Sequence, residues 1–271
     1  MFPQRIVCLT EEPTEVLYAI GEDKRIVGIS GFTVRPARAR REKPRVSAFT
    51  SAKVNEIVKL RPDLVIGFSD IQADIAQALV KLGIEVWIAN HRSVEGILGY
   101  VRRLGALVGA GGKAELLAAQ LHARVARVRA DGEALARHPK VYFEEWDDPQ
   151  ISAIGWVSEL IAIAGGCDIF PERAACSLGR DRILADPQEV VRRAPDVIVG
   201  SWCGKKFRPE RVAARSGWSA VPAVRDGELH EVKSPIILQP GPAALTDGLD
   251  ALHRIFARWA ARAPARGQAA A

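Results

Sequence analysis

A twelve-residue pattern of apolar and polar positions occurs twice in this chain. EIVKLRPDLVIG runs from Glu56 to Gly67, and EVVRRAPDVIVG runs from Glu189 to Gly200, displaced by 133 positions (189 minus 56). Each copy reads as the end of a helix, a Pro-Asp break and a short apolar run that ends in glycine. Proline removes an amide donor and restricts the residue before it, so the helix must stop there. The β-branched run without polar alternation predicts a strand buried on both faces of a parallel sheet.

The first ninety residues alternate between strand and helix patterns. The predicted strands are 5–10, 25–30, 64–67 and 84–89, and the predicted helices are 13–20 and 71–82. Alternation of this kind indicates a parallel sheet covered by helices. From Ser93 to Ala136 only helical sequence appears, broken at Gly109 to Gly112. Such a stretch predicts a long, stiff connector between two lobes.

The second half begins again with a strand, at 141–143, and it contains the second copy of the repeat. We therefore predict an α/β fold of two similar α/β lobes with parallel sheets, joined by a long connecting helix, with a ligand cleft between the lobes. The predicted boundaries are an N-terminal α/β lobe at 1–92, a helical connector at 93–138, a C-terminal α/β lobe at 139–259 and a disordered tail at 260–271.

Composition narrows the class of protein and its compartment. The 271 residues carry a net charge of +6, but the arginines form no cluster with aromatic residues, so nucleic acid is not the expected partner. The predicted first strand begins within about five residues of Met1, and no stretch approaches a membrane span. Four cysteines without metal spacing suit a reducing compartment. We expect a cytoplasmic monomer, or a periplasmic protein if the true start lies upstream.

Several segments carry a family resemblance. RIVCLTEEPTEVLYAIG, LRPDLVIG, LGIEV, APDVIVG, YFEEWDDPQISAIGWVSELIAIAGG and GSWCGKKF, with the helical connector, resemble the helical-backbone substrate-binding proteins of ABC importers. These proteins capture cobalamin, ferric siderophores and haem, and the chain most resembles the cobalamin-binding branch. The resemblance implies a shallow, rigid cleft, no catalysis and delivery of the ligand to a membrane permease. It also implies one docking acid on each lobe, for which Asp74 and Glu210 are the candidates.

Ligand-binding residues are expected in the loops that follow the strand ends. The candidates are Phe49, Ser51, Phe68, Glu145, Trp146, Asp147, Trp156, Trp202, Cys203 and Gln239. Flat aromatic rings suit the apolar faces of a corrin ring, while polar side chains suit its amide fringe. Cobalamin is therefore the predicted ligand, and His91 is the candidate ligand to its cobalt.

Three alternatives to cobalamin binding remain open from the residues alone. A ferric siderophore would require converging cations, and Lys205, Lys206 and Arg208 follow Trp202. Haem would usually require a Tyr, His or Met ligand, and no tyrosine falls in a predicted cleft loop. An enzyme acting on a corrinoid or metal chelate could use Cys203, His91 or the acids Glu144, Glu145 and Asp147. No catalytic motif supports it, so a protein without enzymatic activity is expected.

Overall fold

The structure, a computed structural model, describes residues 1–262. The chain divides into two units, Met1–Ala123 with Gln239–Ala243, and Arg124–Leu238 with the residues from Ala244 onward. Each unit has a hydrophobic core of its own around its own sheet. The predicted fold class, two α/β lobes with mostly parallel sheets and a long connecting helix, is confirmed.

The first unit is built on a parallel sheet. Its strands are β1 (Ile6–Cys8), β2 (Ile26–Ser30), β3 (Arg45–Ser47), β4 (Leu64–Phe68) and β5 (Val86–Ala89), and its shorter helices are α1 (Glu11–Ala19), α2 (Ala39–Glu42), α3 (Val54–Lys59), α4 (Ala73–Lys81) and α5 (Val94–Leu107). The strand order is β3-β2-β1-β4-β5, with β1 in the centre. Parallel pairing brings the carboxyl ends of these strands to one edge, where ligands bind in open α/β sheets.

A single helix, α6 (Gly111–Glu133), follows α5 after a short break. The predicted break at 109–112 lies at 108–110, where Gly109 adopts a positive φ of 73°, because Gly111 and Gly112 already belong to α6. At 1.5 Å per residue, the 23 residues of α6 extend over about 35 Å. Leu121, Val125 and Val128 are buried and recur at helical spacing, so they form an apolar face of α6.

The second unit contains a mixed sheet. Its strands are β6 (Lys140–Asp147), β7 (Gln150–Ser152), β8 (Cys167–Asp168), β9 (Val197–Gly200) and β10 (Leu229–Glu231), and its helices are α7 (Gly155–Ile163), α8 (Pro171–Ala174), α9 (Gln188–Arg193), α10 (Pro209–Ala213), α11 (Pro222–Arg225), α12 (Ser234–Ile237) and α13 (Leu249–Ala261). The path is β10-β9-β6-β7, and β8 also pairs with β6. Only β7 runs antiparallel to its neighbour among the pairings of this sheet in residues 1–262.

The Pro-Asp unit performs the same task in both halves of the chain. In the first, the Asp63 carboxylate accepts hydrogen bonds from the backbone N–H groups of Gln4 (2.6 Å) and Arg5 (2.8 Å), just before β1. In the second, Asp196 accepts one from the N–H of Lys140 at the start of β6 (2.9 Å). Each aspartate thus fixes the start of the strand beside its own. The predicted helix-break-strand unit is confirmed in both copies.

Three segments differ from the sequence-based expectation. Between the predicted strands 25–30 and 64–67 the chain also contains α2 and the edge strand β3, whose three residues are too short to give a periodic signal. Strand β6 continues from the predicted 141–143 to Asp147 and pairs with β7 through the turn at Asp148-Pro149. Helix α13 continues to Ala261, two residues into the predicted disordered tail, and residues 263–271 of that tail lie outside the described residues.

Candidate ligand site at the strand ends

A buried acid-base pair lies at the carboxyl ends of β6 and β9. The fully buried Glu144 carboxylate accepts two hydrogen bonds from the Arg215 guanidinium (Nη1 at 2.5 Å, Nη2 at 3.0 Å). It accepts a third from Nε1 of Trp202 at 2.9 Å. Burial acts to lower the pKa of Arg215, but the hydrogen bonds and charge of Glu144 outweigh it and raise that pKa above its usual value. The buried charge of Glu144 is thus matched by Arg215, and the three side chains support the strand ends from beneath.

The structure corrects the expected positions of two tryptophans. Trp202 does not lie in an open loop: it is only 2% exposed, and its ring meets Phe207 edge to face at 5.1 Å. Gly200, which precedes this turn, has no side chain, so the Phe207 ring can press against the strand. Trp156 is the second residue of α7, is also 2% exposed, and donates its Nε1–H to the carbonyl of Ile237 at 2.9 Å. Neither ring offers a face to a ligand in this structure.

Trp146 is the predicted tryptophan that remains partly exposed. Its ring carries the Lys205 ammonium 3.9 Å above the centroid, and its Nε1–H donates to the carbonyl of Asp148 at 2.8 Å. The Asp147 carboxylate forms ion pairs with Lys205 and with Arg211, the latter at 3.5 Å. Burial acts to raise the pKa of Asp147, but the hydrogen bond and charge of Lys205 lower it below its usual value. An aromatic ring and two cations therefore meet at this edge.

Of the remaining candidates of the second unit, Glu145 has a structural role and Cys203 lies on the surface. Glu145 binds the buried guanidinium of Arg182 in a bidentate pair (2.6 and 3.2 Å), and Arg182 also donates to the carbonyl of Ser152 at 2.5 Å. Glu145 thus anchors the strand, and it is not open to a ligand on that side. Cys203 lies exposed after β9. All four cysteines of the chain lie within residues 1–262, and none forms a disulfide.

In the first unit, the predicted residues surround a buried glutamine. The Gln72 amide donates to the carbonyl of Phe49 at 3.1 Å and accepts from the N–H of Phe68 at 2.9 Å, so it fixes both loops. Phe49 is partly exposed and Ser51 is exposed, as a ligand contact requires. Phe68 is buried, with the Arg92 guanidinium 4.6 Å above its ring. Phe49 and Ser51 are therefore the residues of this group that a ligand can reach.

His91 lies in a buried aromatic setting. Its ring stacks on Tyr100 at 4.8 Å, and its Nε2–H donates to the carbonyl of Pro240 at 2.7 Å. Burial lowers the pKa of His91 to about 4, so the ring is neutral near pH 7. Gln239, which precedes this contact, is also buried. The proposed role of His91 as a cobalt ligand stays a prediction, and no group of three or more His, Cys, Asp or Glu side chains suited to a metal occurs within residues 1–262.

Sequence reasoning missed a pair of buried acids at the start of α1. Glu11 and Glu12 follow β1 directly, and the Thr10 hydroxyl donates to Oε1 of Glu12 at 2.6 Å. Burial, reinforced by the charge of Glu12, raises the pKa of Glu11 to about 8. Burial likewise raises the pKa of Glu12 to about 7, against the opposing hydrogen bond from Thr10. Adjacent glutamates directly after a buried strand were the signal available in the sequence.

The two predicted docking acids both lie on the surface. Asp74 is exposed in the first turn of α4, and Glu210 is exposed in the first turn of α10. Glu210 forms a long ion pair with Arg208, at 3.6 Å. Both carboxylates are therefore accessible, and their docking role stays a prediction.

The chain has two α/β units, a long helix that crosses the boundary between them in sequence, and aromatic and charged side chains at its strand ends, as a substrate-binding protein does. The chain belongs to the periplasmic binding protein family, whose model matches residues 6–235. Substrate-binding proteins of this ABC-importer type are not enzymes, so the expected lack of catalysis is confirmed. The class also implies a permease as partner.

Three known proteins place the chain within this class. The uncharacterized ABC transporter substrate-binding lipoprotein YvrC of Bacillus subtilis (strain 168) is 24% identical over 259 residues, 92% of this chain and 79% of YvrC. The vitamin B12-binding protein of Vibrio campbellii is 25% identical over 203 residues, 73% of this chain and 70% of that protein. The periplasmic heme-binding protein RhuT from Roseiflexus sp. RS-1, in its apo form, has the same fold, with a TM-score of 0.78, 24% identity and coverage of 93% and 98%.

The compartment is constrained only in part. Relatives carry names that describe them as periplasmic proteins or lipoproteins. Across residues 1–262, none of the helices combines the length and the apolar character that crossing a bilayer requires. The expected cytoplasmic location stays a prediction.

Proposed function

We propose that this chain binds a corrinoid, with cobalamin as the favoured ligand, through the loops at the carboxyl ends of its strands. The observation that carries the proposal is the partly exposed indole of Trp146 at the end of β6. A flat ring of this size can stack on the apolar face of a macrocycle. The similarity to a vitamin B12-binding protein supports the same ligand class.

Phe49 and Ser51 are the accessible candidates of the first unit. Phe49 offers a second aromatic surface, and the exposed Ser51 hydroxyl can pair with polar groups of the ligand. Both lie in a loop whose backbone is fixed by Gln72. Because the backbone of this loop is already ordered, less conformational entropy is lost when the ligand binds. Trp156 and Trp202 are left out of the proposed contact set because their rings are buried.

The experiment is a calorimetric titration with cobalamin, followed by gel filtration. Wild-type protein is expected to bind with micromolar affinity or tighter, which corresponds to about 8 kcal/mol. Trp146→Ala should weaken binding by roughly 1 to 3 kcal/mol, as loss of an aromatic anchor does, and Trp146→Phe should weaken it less. Trp259→Ala is the matched control, because its indole likewise lies beneath a cation, the guanidinium of Arg137 at 4.6 Å. Equal losses in the two alanine variants, or no binding by wild type, would refute the proposal.

A second candidate is an anionic iron chelate, either haem or a ferric siderophore. Lys205 and Arg211, whose side chains are 38% and 61% exposed, favour it because both pair with Asp147, the residue after Trp146. Against haem, the side chains of Tyr18, Tyr100 and Tyr142 are all buried, so none is open to ligate its iron. Parallel titrations with haem and with a ferric siderophore decide between these ligands and cobalamin.

We further propose that Asp74 and Glu210 dock the chain onto its permease. Their exposure at helix starts supports the role, since each carboxylate can reach a partner's cations. The charge reversals Asp74→Arg and Glu210→Arg should abolish ligand uptake by cells that depend on this chain, while the purified variants keep their ligand affinity. Glu95→Arg, at another exposed acid, is the control and should leave uptake unchanged. Normal uptake in the double variant would exclude this docking mode.

As the alternative to permease docking, we propose a reducing, cytoplasmic location on the strength of the cysteines. Cys167 and Cys203 are exposed and form no disulfide, which suits a compartment that keeps thiols reduced. A membrane-impermeant maleimide should label these thiols only after the cells are broken. Labelling in intact cells would instead support a periplasmic location.

A further inference from the structure

A polar pocket opens at the carboxyl ends of β2 and β3, within the first unit. It has a volume of about 360 Å³, and Gly31, Arg45, Ser47, Ser51 and Lys53 contribute to its wall. We call it the Arg45 pocket. Only Ser51 among these residues was predicted from the sequence to contact a ligand. The other wall residues are therefore new candidates.

Backbone hydrogen bonds fix the wall of the Arg45 pocket. The N–H of Gly31 donates to the carbonyl of Ser47 at 2.7 Å, which ties the end of β2 to the end of β3. The N–H of Ala48 donates to the carbonyl of Ser51 at 2.7 Å, and the N–H of Lys53 donates to the carbonyl of Val46 at 2.8 Å. These bonds close the loop after β3 into a tight turn. Its side chains therefore extend from a defined backbone, and binding need not order it.

The wall carries two cationic side chains, Arg45 and Lys53. Within residues 1–262, neither Arg45 nor Lys53 forms an ion pair. Glu56, the acid nearest to Lys53 in sequence, pairs instead with Lys59 at 2.8 Å. A guanidinium offers several N–H donors in one plane, and an ammonium adds a mobile point charge. Both groups suit an oxyanion.

Small residues keep the Arg45 pocket open. Gly31 has no side chain, and a Cβ at that position would lie 3.2 Å from the Ser47 carbonyl oxygen. The Ser47 hydroxyl donates to the carbonyl of Leu9 at 3.1 Å, so it stays against the wall. The Ser51 hydroxyl is exposed at the rim. The result is a concave surface with two cations and a hydroxyl donor.

We propose that the Arg45 pocket binds an oxyanion, a phosphate or a carboxylate, carried by the ligand. Charge-assisted hydrogen bonds from Arg45 and Lys53 would hold it. For a corrinoid the anion is the phosphodiester of the nucleotide loop, and for haem or a siderophore it is a carboxylate. The assignment to a corrinoid rests on the proposed function, whereas oxyanion binding by the pocket does not.

The first test uses inorganic phosphate, so it does not depend on which ligand is correct. Titration of ¹⁵N-labelled protein should shift the amide signals of Gly31, Ser47 and Ser51. The double variant Arg45→Gln, Lys53→Gln should lose about tenfold in phosphate affinity. The control Lys24→Gln, Arg40→Gln removes two exposed charges from the same unit and should keep wild-type affinity. No shift in wild type, or equal losses in both double variants, would overturn the proposal.

The second test identifies the source of the anion. Wild type should bind cobalamin about tenfold more tightly than cobinamide, which lacks the phosphodiester, and the Arg45→Gln, Lys53→Gln variant should bind both alike. For the carboxylate, haem is compared with its dimethyl ester in the same way. If wild type binds no corrinoid, the proposed function fails, and the phosphate titration still decides the pocket. Equal losses of affinity for the charged and the neutral ligand of each pair would contradict recognition of the anion.

Discussion

The buried acids at the start of α1 should make the folded protein less stable as the pH rises. Glu12 is 1% exposed, and within residues 1–262 its Oε2 atom has no hydrogen-bond partner. Its pKa in the folded protein is about 7, against 4.5 for an ordinary glutamate, because burial penalises the charged form. The folded state therefore binds a proton that the unfolded state releases. The stability present below pH 4.5 is lost as pH rises through 7.

The perturbation that isolates this effect is Glu12→Gln. The amide is uncharged at every pH, and its oxygen can still accept the hydrogen bond from the Thr10 hydroxyl. A rise in pKa from 4.5 to about 7 corresponds to about 3 kcal/mol. Most of that loss falls between pH 5 and 8 in the wild type, and the variant should escape it. We expect Glu12→Gln to exceed wild type in unfolding free energy by roughly 2 to 3 kcal/mol more at pH 8 than at pH 5.

The assay is urea unfolding followed by circular dichroism at pH 5, 6, 7 and 8. The control is Glu95→Gln, because the Glu95 side chain is 79% exposed. Its unfolding free energy should follow that of the wild type across the pH range. A Glu12→Gln profile parallel to that of the wild type would mean that Glu12 is already ionised, or hydrated, in the folded protein. A variant less stable than wild type at pH 8 would refute the reasoning outright.

Two backbone positions give further predictions. Gly200→Ala would place a Cβ 1.9 Å from the Phe207 ring. The variant should therefore lose about 2 kcal/mol or more of stability, seen as a lower thermal transition temperature. Ala194 holds a positive φ of 47° before a proline, so Ala194→Gly should raise the unfolding free energy by up to about 1 kcal/mol in urea titrations. A loss of stability in Ala194→Gly would show that its methyl contacts outweigh the backbone strain.

The fold was predictable because its defining signals are local. The Pro-Asp repeat encodes a helix end and the start of a buried strand within twelve residues, and a proline acts on its own neighbours. The aspartate of each copy binds backbone N–H groups at the start of the neighbouring strand, because β1 pairs in parallel with β4 and β6 with β9. The short strand β3 escaped prediction because three residues carry no periodicity, and its pairing with β2 is decided by tertiary structure.

The candidate site was harder to predict because its partners are distant in sequence. Trp202 was expected in an open loop, but its indole N–H donates to Glu144, 58 residues earlier, and the same carboxylate is held by Arg215. No local sequence pattern predicts that these side chains are partners. One signal was available: Glu144 and Glu145 are adjacent on a strand, so they point to opposite faces, and each requires its own cation. The structure supplies Arg215 for one and Arg182 for the other.

Each unit, taken by itself, presents the same kind of chemistry at the carboxyl edge of its sheet. The second unit presents Trp146 with Lys205 and Arg211, while the first presents Phe49 in the loop that joins Arg45 to Lys53. Stacking alone would need no cations, and anion binding alone would need no aromatic rings. Their joint occurrence in both units therefore argues for a ligand that has an apolar face and an anionic group. Among the proposed ligands, a corrinoid with its phosphodiester and a metal chelate with its carboxylates both meet that description, whereas a neutral macrocycle would give Arg45 and Lys53 no anionic partner.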